Sequence, residues 1–586
     1  MPEPDPTDLL LGPILRRVDG RRATVWVQTA RAGTVEIATT GTAGGSARTF
    51  SAYGRHYALV VVDGLAAATT TPYRVLVDGV PVWPPPDYPY PPPAIRTRDD
   101  ADPVRLVYGS CRQVVPRVTR RHLPDALDTY AVRLAAAARA DQPDKAAGTH
   151  AGQPDQAAGP EASAGADIDA EAGADRASGT GSVGWPDSLV LLGDQVYADD
   201  TSPAIRGWLR RRRRRRRPGA PDSEVVTFAE YVRLYLESWT DPDLRWLLST
   251  VPSVMIFDDH EIIDDWNTSE SWRHAYLAKP WWAERISAGL ASYWVYQHLG
   301  NLSPDELGAD PVYRAVTTAG DATAALADFG TRADRDRTGY RWSFALDLGR
   351  TRLVVLDNRA GRDLTPGRRG MLADGEWSWF VDRISDGGYD HLVLGSSLPW
   401  LMPPAVHHVE AMNERMCESS RPWIARSAER IRRAADLEHW AAFGRSFGTL
   451  ADLLARIGSG AGAPATISVL SGDVHHSYAA RVRTDSGVHS RIHQLTCSPI
   501  HNGLPGAMHL ATRLAWSRRA ARAARRLARL AGTPDPGLRW ELAAGPFFDN
   551  ALSTLVLRDR TATVVLEGTA ADAHLHQLAT LPLNPA

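Results

Sequence analysis

The sequence predicts a small all-β sandwich over residues 1–97 followed by an α/β body over residues 98–586. Three observations carry this. The stretches RRATVWVQTA, GTVEIATT, HYALVVVDGL and TPYRVLVDGVPVW alternate or run apolar between Gly, Thr and Asp, the spacing of short sandwich strands. The segment PPPDYPYPPPAIRT is dense enough in proline to form a semi-rigid linker and sets the boundary. Beyond it, strand-like runs alternate with longer helical stretches, as an α/β core requires.

The chain has 586 residues, 44% hydrophobic and 23% charged, which suits a globular protein of two parts or one large elaborated one. A net charge of −2 gives no overall pull towards nucleic acid or membrane, so no specific nucleic-acid partner is expected. Three cysteines, Cys111, Cys417 and Cys497, are too few and too odd for a disulfide framework and fit a reducing compartment. The start, MPEPDPTDLLLGPILRRVDG, has neither a basic stretch before a long apolar one nor a twin-arginine motif. No window reaches ~18 apolar residues, so no transmembrane segment is expected. The expected location is cytoplasmic.

Several segments have readings of their own. KPWWAERISAGLASYWVYQHLG reads as a thick, well-packed helix. Residues 140–184 have the composition of a disordered insert. The arginine run Arg210 to Arg217 reads as a solvated continuation of a helix starting near Ile205, or as a polyanion-binding patch. RLAWSRRAARAARRLARLAG, residues 513–532, sets Leu and Ala at helical spacing with Arg opposite. Such a helix packs its apolar face on its own domain, or lies on a membrane surface or an anionic ligand.

The chemistry sits at strand ends. SVMIFDDHEIIDDWN crowds five acids and a histidine against an apolar run, and unpaired charges there cost free energy unless a cation joins them. Six further runs end in the same way. VRLVYGSCRQ leads to Cys111 and Arg112, SLVLLGDQVYADD to Asp194 and Tyr197, and TRLVVLDNRAGRD to Asp357, Asn358 and Arg359. DHLVLGSSLPW leads to Ser396 and Ser397, TISVLSGDVHHSY to Asp473, His475 and His476, and RIHQLTCSPIHN to Cys497 and His501. In α/β sheets the site lies outside the carboxyl ends of the strands, so these residues should converge. Asp, His and Tyr suit Fe(III), Mn or Zn, while carboxylates alone suit Ca or Mg. Asp194 is the natural bridge between two ions, because Gly193 before it lets the backbone turn sharply.

Taken in order, GSCRQ, LLGDQVYADD, FDDHEIIDDW, LVVLDNR and LSGDVHHSYAA resemble the PhoD-like alkaline phosphatase D family of the calcineurin-like metallophosphoesterases. The resemblance covers roughly residues 103–570. It implies a metallophosphoesterase-type α/β/β/α sandwich of two mixed sheets, preceded by a small all-β, immunoglobulin- or fibronectin-like sandwich. It further implies that Cys111 is a ligand from the first loop, Asp194 bridges, and Tyr197 binds ferric iron. DDHE stands where the superfamily usually has GNHE, so Asp259 takes a ligand position for the second metal. His260 then steadies the phosphate and leaving group. GDVH stands for GHxH, making Asp473 a ligand of the second metal and His475 of the iron. The acid-rich second site favours Ca2+ beside Fe3+, with Mn2+ or Zn2+ as alternatives.

Arg112 and Arg359 are candidate bidentate donors to phosphate. Asp258, Glu261, Asn358 and His476 are candidate supports behind the ligands. Cys417 and Cys497 read as structural. The expected activity is hydrolysis of a small-molecule or polymeric phosphoester, monoester or diester, by a two-metal site that activates water for in-line attack. The alternatives are a non-enzymatic binding protein with a vestigial phosphatase site, or a specialised lipid or cell-wall phosphodiesterase.

Overall fold

The computed structural model describes residues 9–114, 123–140, 184–213, 219–484 and 486–584. Residues 141–183, nearly all of the expected insert, lie outside the described residues, as do Arg214 to Arg217.

All seven apolar runs flagged above become strands, and they sort into two sheets. Val104–Gly109, Ser188–Leu192 and Ser253–Ile256 are parallel neighbours in a six-stranded sheet. Antiparallel Ala551–Arg558, Thr561–Thr569 and Leu575–Pro582 complete it. Thr351–Leu356, His391–Ser396, Thr466–Ser471 and Arg491–Thr496 are parallel in a seven-stranded sheet, with antiparallel strands at both edges. The two sheets are packed face to face: Leu106, Tyr108, Leu192 and Ile256 of one share a buried cluster with Leu353, Val393, Leu470 and Leu495 of the other. Helices such as Phe228–Trp239 and Trp282–Tyr296 cover the outer side of the first sheet. Asp374–Ser385 and Gly444–Ile457 cover that of the second, giving an α/β/β/α sandwich. Among the described residues no helix is long and apolar enough to cross a membrane.

Ahead of this body the chain forms two antiparallel sheets, Leu9–Asp19, Arg22–Thr29, Arg55–Val62 and Phe50–Ala52 against Gly44–Arg48, Thr34–Thr39, Thr70–Val77 and Val80–Trp83. The proline-rich stretch after them is more than a spacer. Ala94–Arg96 pairs with Thr70–Val77, Tyr90 donates to Asp243 at 2.7 Å, and Trp246 donates to the Pro91 carbonyl at 3.0 Å.

Strand Leu9–Asp19 does not stand out in the sequence, because its apolar run is broken by Gly12–Pro13 and two arginines. Those arginines fasten it to the body. Arg16 is fully buried and pairs with no acid among the described residues. Its guanidinium donates to the carbonyls of Ser253 at 3.0 Å, Tyr296 at 3.0 Å and Gln297 at 2.6 Å, and to Asn301 Oδ1 at 3.1 Å. Tyr296 ends a helix, so one donor fork answers carbonyls that a helix terminus leaves open. Burial pulls the Arg16 guanidinium down to about 9. Replacing it strands these acceptors inside the core. Arg16→Met is expected to lower the unfolding free energy by ~3 kcal/mol, read from urea titration, because unanswered buried polar groups carry their full desolvation cost.

Candidate metal centre

The carboxyl ends of the seven parallel strands lie along one edge of the sandwich, and backbone bonds stitch their loops together. Cys111 N donates to the Gly193 carbonyl at 3.2 Å, Arg112 N to that of Asp194 at 2.9 Å, and Gly472 N to that of Ser397 at 2.9 Å. Gly193 has φ +99°, and a Cβ there would lie 2.5 Å from the Cβ of Asp258, so glycine is needed for both shape and space. Cys111, Asp194, Asp473 and His475 all adopt left-handed φ, from 51° to 69°. Each costs roughly 1–2 kcal/mol for a residue with a Cβ, a strain that persists where the surroundings impose it.

The turns gather three groups whose ligand atoms lie within 4.8 Å of one another: Cys111, Asp194 and His475; Asp194, Asp259 and His260; and Asp258, Asp259 and Asp473. Tyr197 joins them. Its hydroxyl lies 3.5 Å from Asp194 Oδ2 and accepts from Asn502 Nδ2 at 3.0 Å. Glu261 knots the loops: its carboxylate accepts from the backbone N–H groups of Asp194, Gln195 and Asp258 at 2.7–3.0 Å.

Charge is the organising feature. Arg359, fully buried, contacts Asp258 through Nε and Glu438 through Nη1 at 2.5 Å. Its Nη2 lies 3.5 Å from Asp259 Oδ2 and 3.7 Å from Asp473 Oδ1. Burial pushes the carboxyls of Asp194 and Asp258 well above the usual range. Burial also raises the Cys111 thiol and the Tyr197 phenol, with Asp194 adding to both. Burial lowers the His475 imidazole to about 4. Asp473 is buried too, but the hydrogen bond and charge of His439 hold it at about 2. His260 resists burial through Asp199 and Asp194 and keeps its proton well above the ordinary histidine range.

The arrangement fits metal ions. Among the described residues Asp194 Oδ1 and Asp258 Oδ2 are buried with no hydrogen-bond partner, and a thiol, an imidazole and carboxylates converge there. A cation at this place answers the orphaned oxygens and favours the charged form of each donor.

The two candidate arginines are placed differently. Arg112 is not brought into the cluster: Nε pairs with Asp125 at 2.8 Å, Nη2 with Asp128 at 3.1 Å, and Nη1 donates to the Ser238 carbonyl at 2.9 Å. Arg359 is in the cluster: the acids hold Nε and Nη1, while its buried Nη2 has no hydrogen-bond partner among the described residues. Asn358 links Ser396 and Ser397 at 2.8 and 2.7 Å, and His476 Nδ1 bonds the Val474 carbonyl at 2.7 Å.

The sequence reading missed Asp199, and with it Glu410, Glu438 and His439. Asp199 holds His260 Nδ1 at 2.8 Å; it sits inside the quoted DQVYADD, so its signal was present but unassigned. Glu438 pairs with Arg359 and with Arg362 at 3.1 Å. His439 joins Asp473 at 3.0 Å through Nε2 and Glu410 at 2.8 Å through Nδ1. These three follow or lie on helices rather than strand ends, so no strand-end pattern could select them.

Comparison with known proteins places the fold and the family. The family model described as PhoD-like phosphatase matches residues 175–535, and the chain belongs to that family. It is a phosphatase enzyme, and the family implies metal cofactors. Residues 6–95 match a second family, described only as a domain of unknown function (DUF7800). A solved structure titled "Structure of PhoD" is similar with a TM-score of 0.56 at 11% identity, over 99% of this chain and 94% of that one. Purple acid phosphatase PPD1 from yellow lupin (Lupinus luteus) seeds aligns with a TM-score of 0.46 at 9% identity, over 97% and 74%. No curated protein matches the chain.

Removing bound metal with a chelator is expected to lower the melting temperature by at least ~5 °C, and reloading to restore it. Because the Cys111 thiol, the Tyr197 phenol and the Asp194 carboxyl are all pushed up, the metal-free site holds protons near neutral pH. Reloading is therefore expected to release protons, measurable with a pH indicator in weak buffer.

Proposed function

We propose that this family member hydrolyses phosphoric esters, monoester or diester, with two metal ions. One, Fe3+, is held by Cys111, Asp194, Tyr197 and His475. The other, Ca2+, is held by Asp194, Asp259 and Asp473, with Mn2+ or Zn2+ as alternatives. The observation that carries this reading is the overlap of the three donor groups: the first two share Asp194, and the second and third share Asp259. Thiolate, phenolate and imidazole suit a transition metal, and the acid-only set suits a hard ion. Bound together, such ions would polarise a phosphoryl oxygen and supply a nucleophilic water.

The chain's own residues supply position and proton. Asp199 takes Nδ1 of His260, which directs Nε2 away from Asp199. A proton held at Nε2 can steady the phosphate and pass to the leaving oxygen. Glu261 fixes the loops of Asp194 and Asp258 through three backbone donors. Glu438 and Arg359 hold the acids of the third group in place. The substrate class is a small-molecule or polymeric phosphoester.

The same reading divides the chain into a sandwich domain, 1–97, and a phosphatase domain, 98–586. A separate apolar cluster running from Leu9 to Ile95 supports that division. A cytoplasmic location is supported by three cysteines that are all free.

Two variants test the reading. Asp194→Asn weakens both ion sites and is expected to cut phosphoester hydrolysis by at least ~1000-fold, about 4 kcal/mol of transition-state stabilisation. His260→Ala is expected to keep its metal content and lose ~100-fold or more in kcat. Full activity with normal metal content in Asp194→Asn would remove the basis of the assignment.

A further inference from the structure

The stretch at 513–532 forms parts of two helices, Gly506–Ala515 and Arg518–Leu530, joined at Trp516–Ser517. Its leucines do not pack inward. The first helix has no buried residue, and Leu510 and Leu514 are 63% and 54% exposed. The second buries only Ala524 and Ala528 and packs against helix Pro404–Cys417; its Leu527 and Leu530 are 56% and 85% exposed.

At 3.6 residues per turn the outward faces can be read in detail. On the first helix, Ala507, Leu510, Ala511 and Leu514 form one outward apolar strip. On the second, the side opposite Ala524 and Ala528 has two flanks. Arg518, Arg519, Arg522 and Arg526 form one, and Ala523, Leu527 and Leu530 the other. None of these four arginines has an ion pair among the described residues. A cavity of about 880 Å³ opens on the arginine side, its lining including Trp516, Arg518, Arg522, Arg539 and Trp540, with Glu541 and the ion pair of Arg525 and Asp535 at its wall.

We propose that this helix pair is a docking surface for an anionic lipid bilayer. Apolar side chains beside unpaired arginines match the acyl–headgroup boundary, where leucines enter and guanidinium groups meet phosphate. The cavity between Trp516 and Trp540 gives a headgroup a place to sit. A second copy of the chain fits less well, because two-fold pairing of these flanks sets the unpaired arginines against arginine or against leucine, and never against an acid.

The surface is coupled to the metal centre. The first helix begins four residues after Asn502, which touches Tyr197. His509 on that helix stacks on Phe548 at 3.9 Å, and Phe548 lies 6.1 Å from His476. Docking therefore brings the site to the bilayer surface. Resting on the phosphoesterase reading, this points to phosphoesters carried at that surface.

Flotation with phosphatidylcholine vesicles, with and without phosphatidylglycerol, tests the proposal on the full chain. Wild type is expected to float with phosphatidylglycerol vesicles and not with phosphatidylcholine alone. The set Leu510→Ser, Leu514→Ser, Leu530→Ser and the set Arg518→Gln, Arg519→Gln, Arg522→Gln, Arg526→Gln should each lower partitioning by at least ~10-fold. Circular dichroism and hydrolysis of a soluble aryl phosphate should stay at wild-type values in both. No selectivity for phosphatidylglycerol, or leucine variants that float like wild type, would overturn it. So would a wild-type dimer that dissociates in the leucine variants without any vesicle binding. Docking is read without catalysis, so an inactive protein that still floats would overturn the phosphoesterase reading and leave the surface standing.

Discussion

The structure turns on one electrostatic constraint: more carboxylate is buried at the strand ends than the cations among the described residues answer. Arg359 alone faces Asp258, Asp259, Glu438 and Asp473. Arg362 shares Glu438, and His439 shares Asp473. Asp194 is left with one oxygen unanswered. Isolated buried charges cost several kcal/mol each even after relaxation, so such a cluster persists only with compensation. The geometry makes room for it. Left-handed Cys111, Asp194, Asp473 and His475 aim their side chains at common points, at a backbone cost that ordinary loops avoid.

The sandwich exists to hold those points still. Parallel strands in both sheets deliver their loops to one edge, and the shared apolar cluster between the sheets fixes their relative position. The N-terminal sheets are tied to this frame from behind. Arg16 bonds Ser253 at the foot of the strand that carries Asp258 and Asp259, and Asn301 bonds both Arg16 and Met255 of that strand. The segment before the body therefore braces one of the ligand loops.

Much of this was legible in the sequence because a strand ending in an acid is a local pattern. The runs ending at Cys111, Asp194, Asp258, Arg359 and Asp473 could be marked one by one, and the parallel-sheet rule supplied their convergence. What stayed hidden was non-local or conformational. Arg112 and Arg359 look alike after a strand, yet one turns to Asp125 and Asp128 and the other into the acids. Glu438 and His439 reach the centre from a helix-rich segment with no strand before it. The basic helix was visible, but not that its small alanines, rather than its leucines, would face the protein.

The central claim is that metal ions supply the missing positive charge, with Asp194 between them. Elemental analysis of protein purified without chelator tests it most directly. About two ions per chain are expected in the wild type, and about one or fewer in Asp194→Asn, since one carboxylate serves both positions. A wild-type chain that retains no metal, yet hydrolyses phosphoesters and melts no higher when metal is added, would contradict the account.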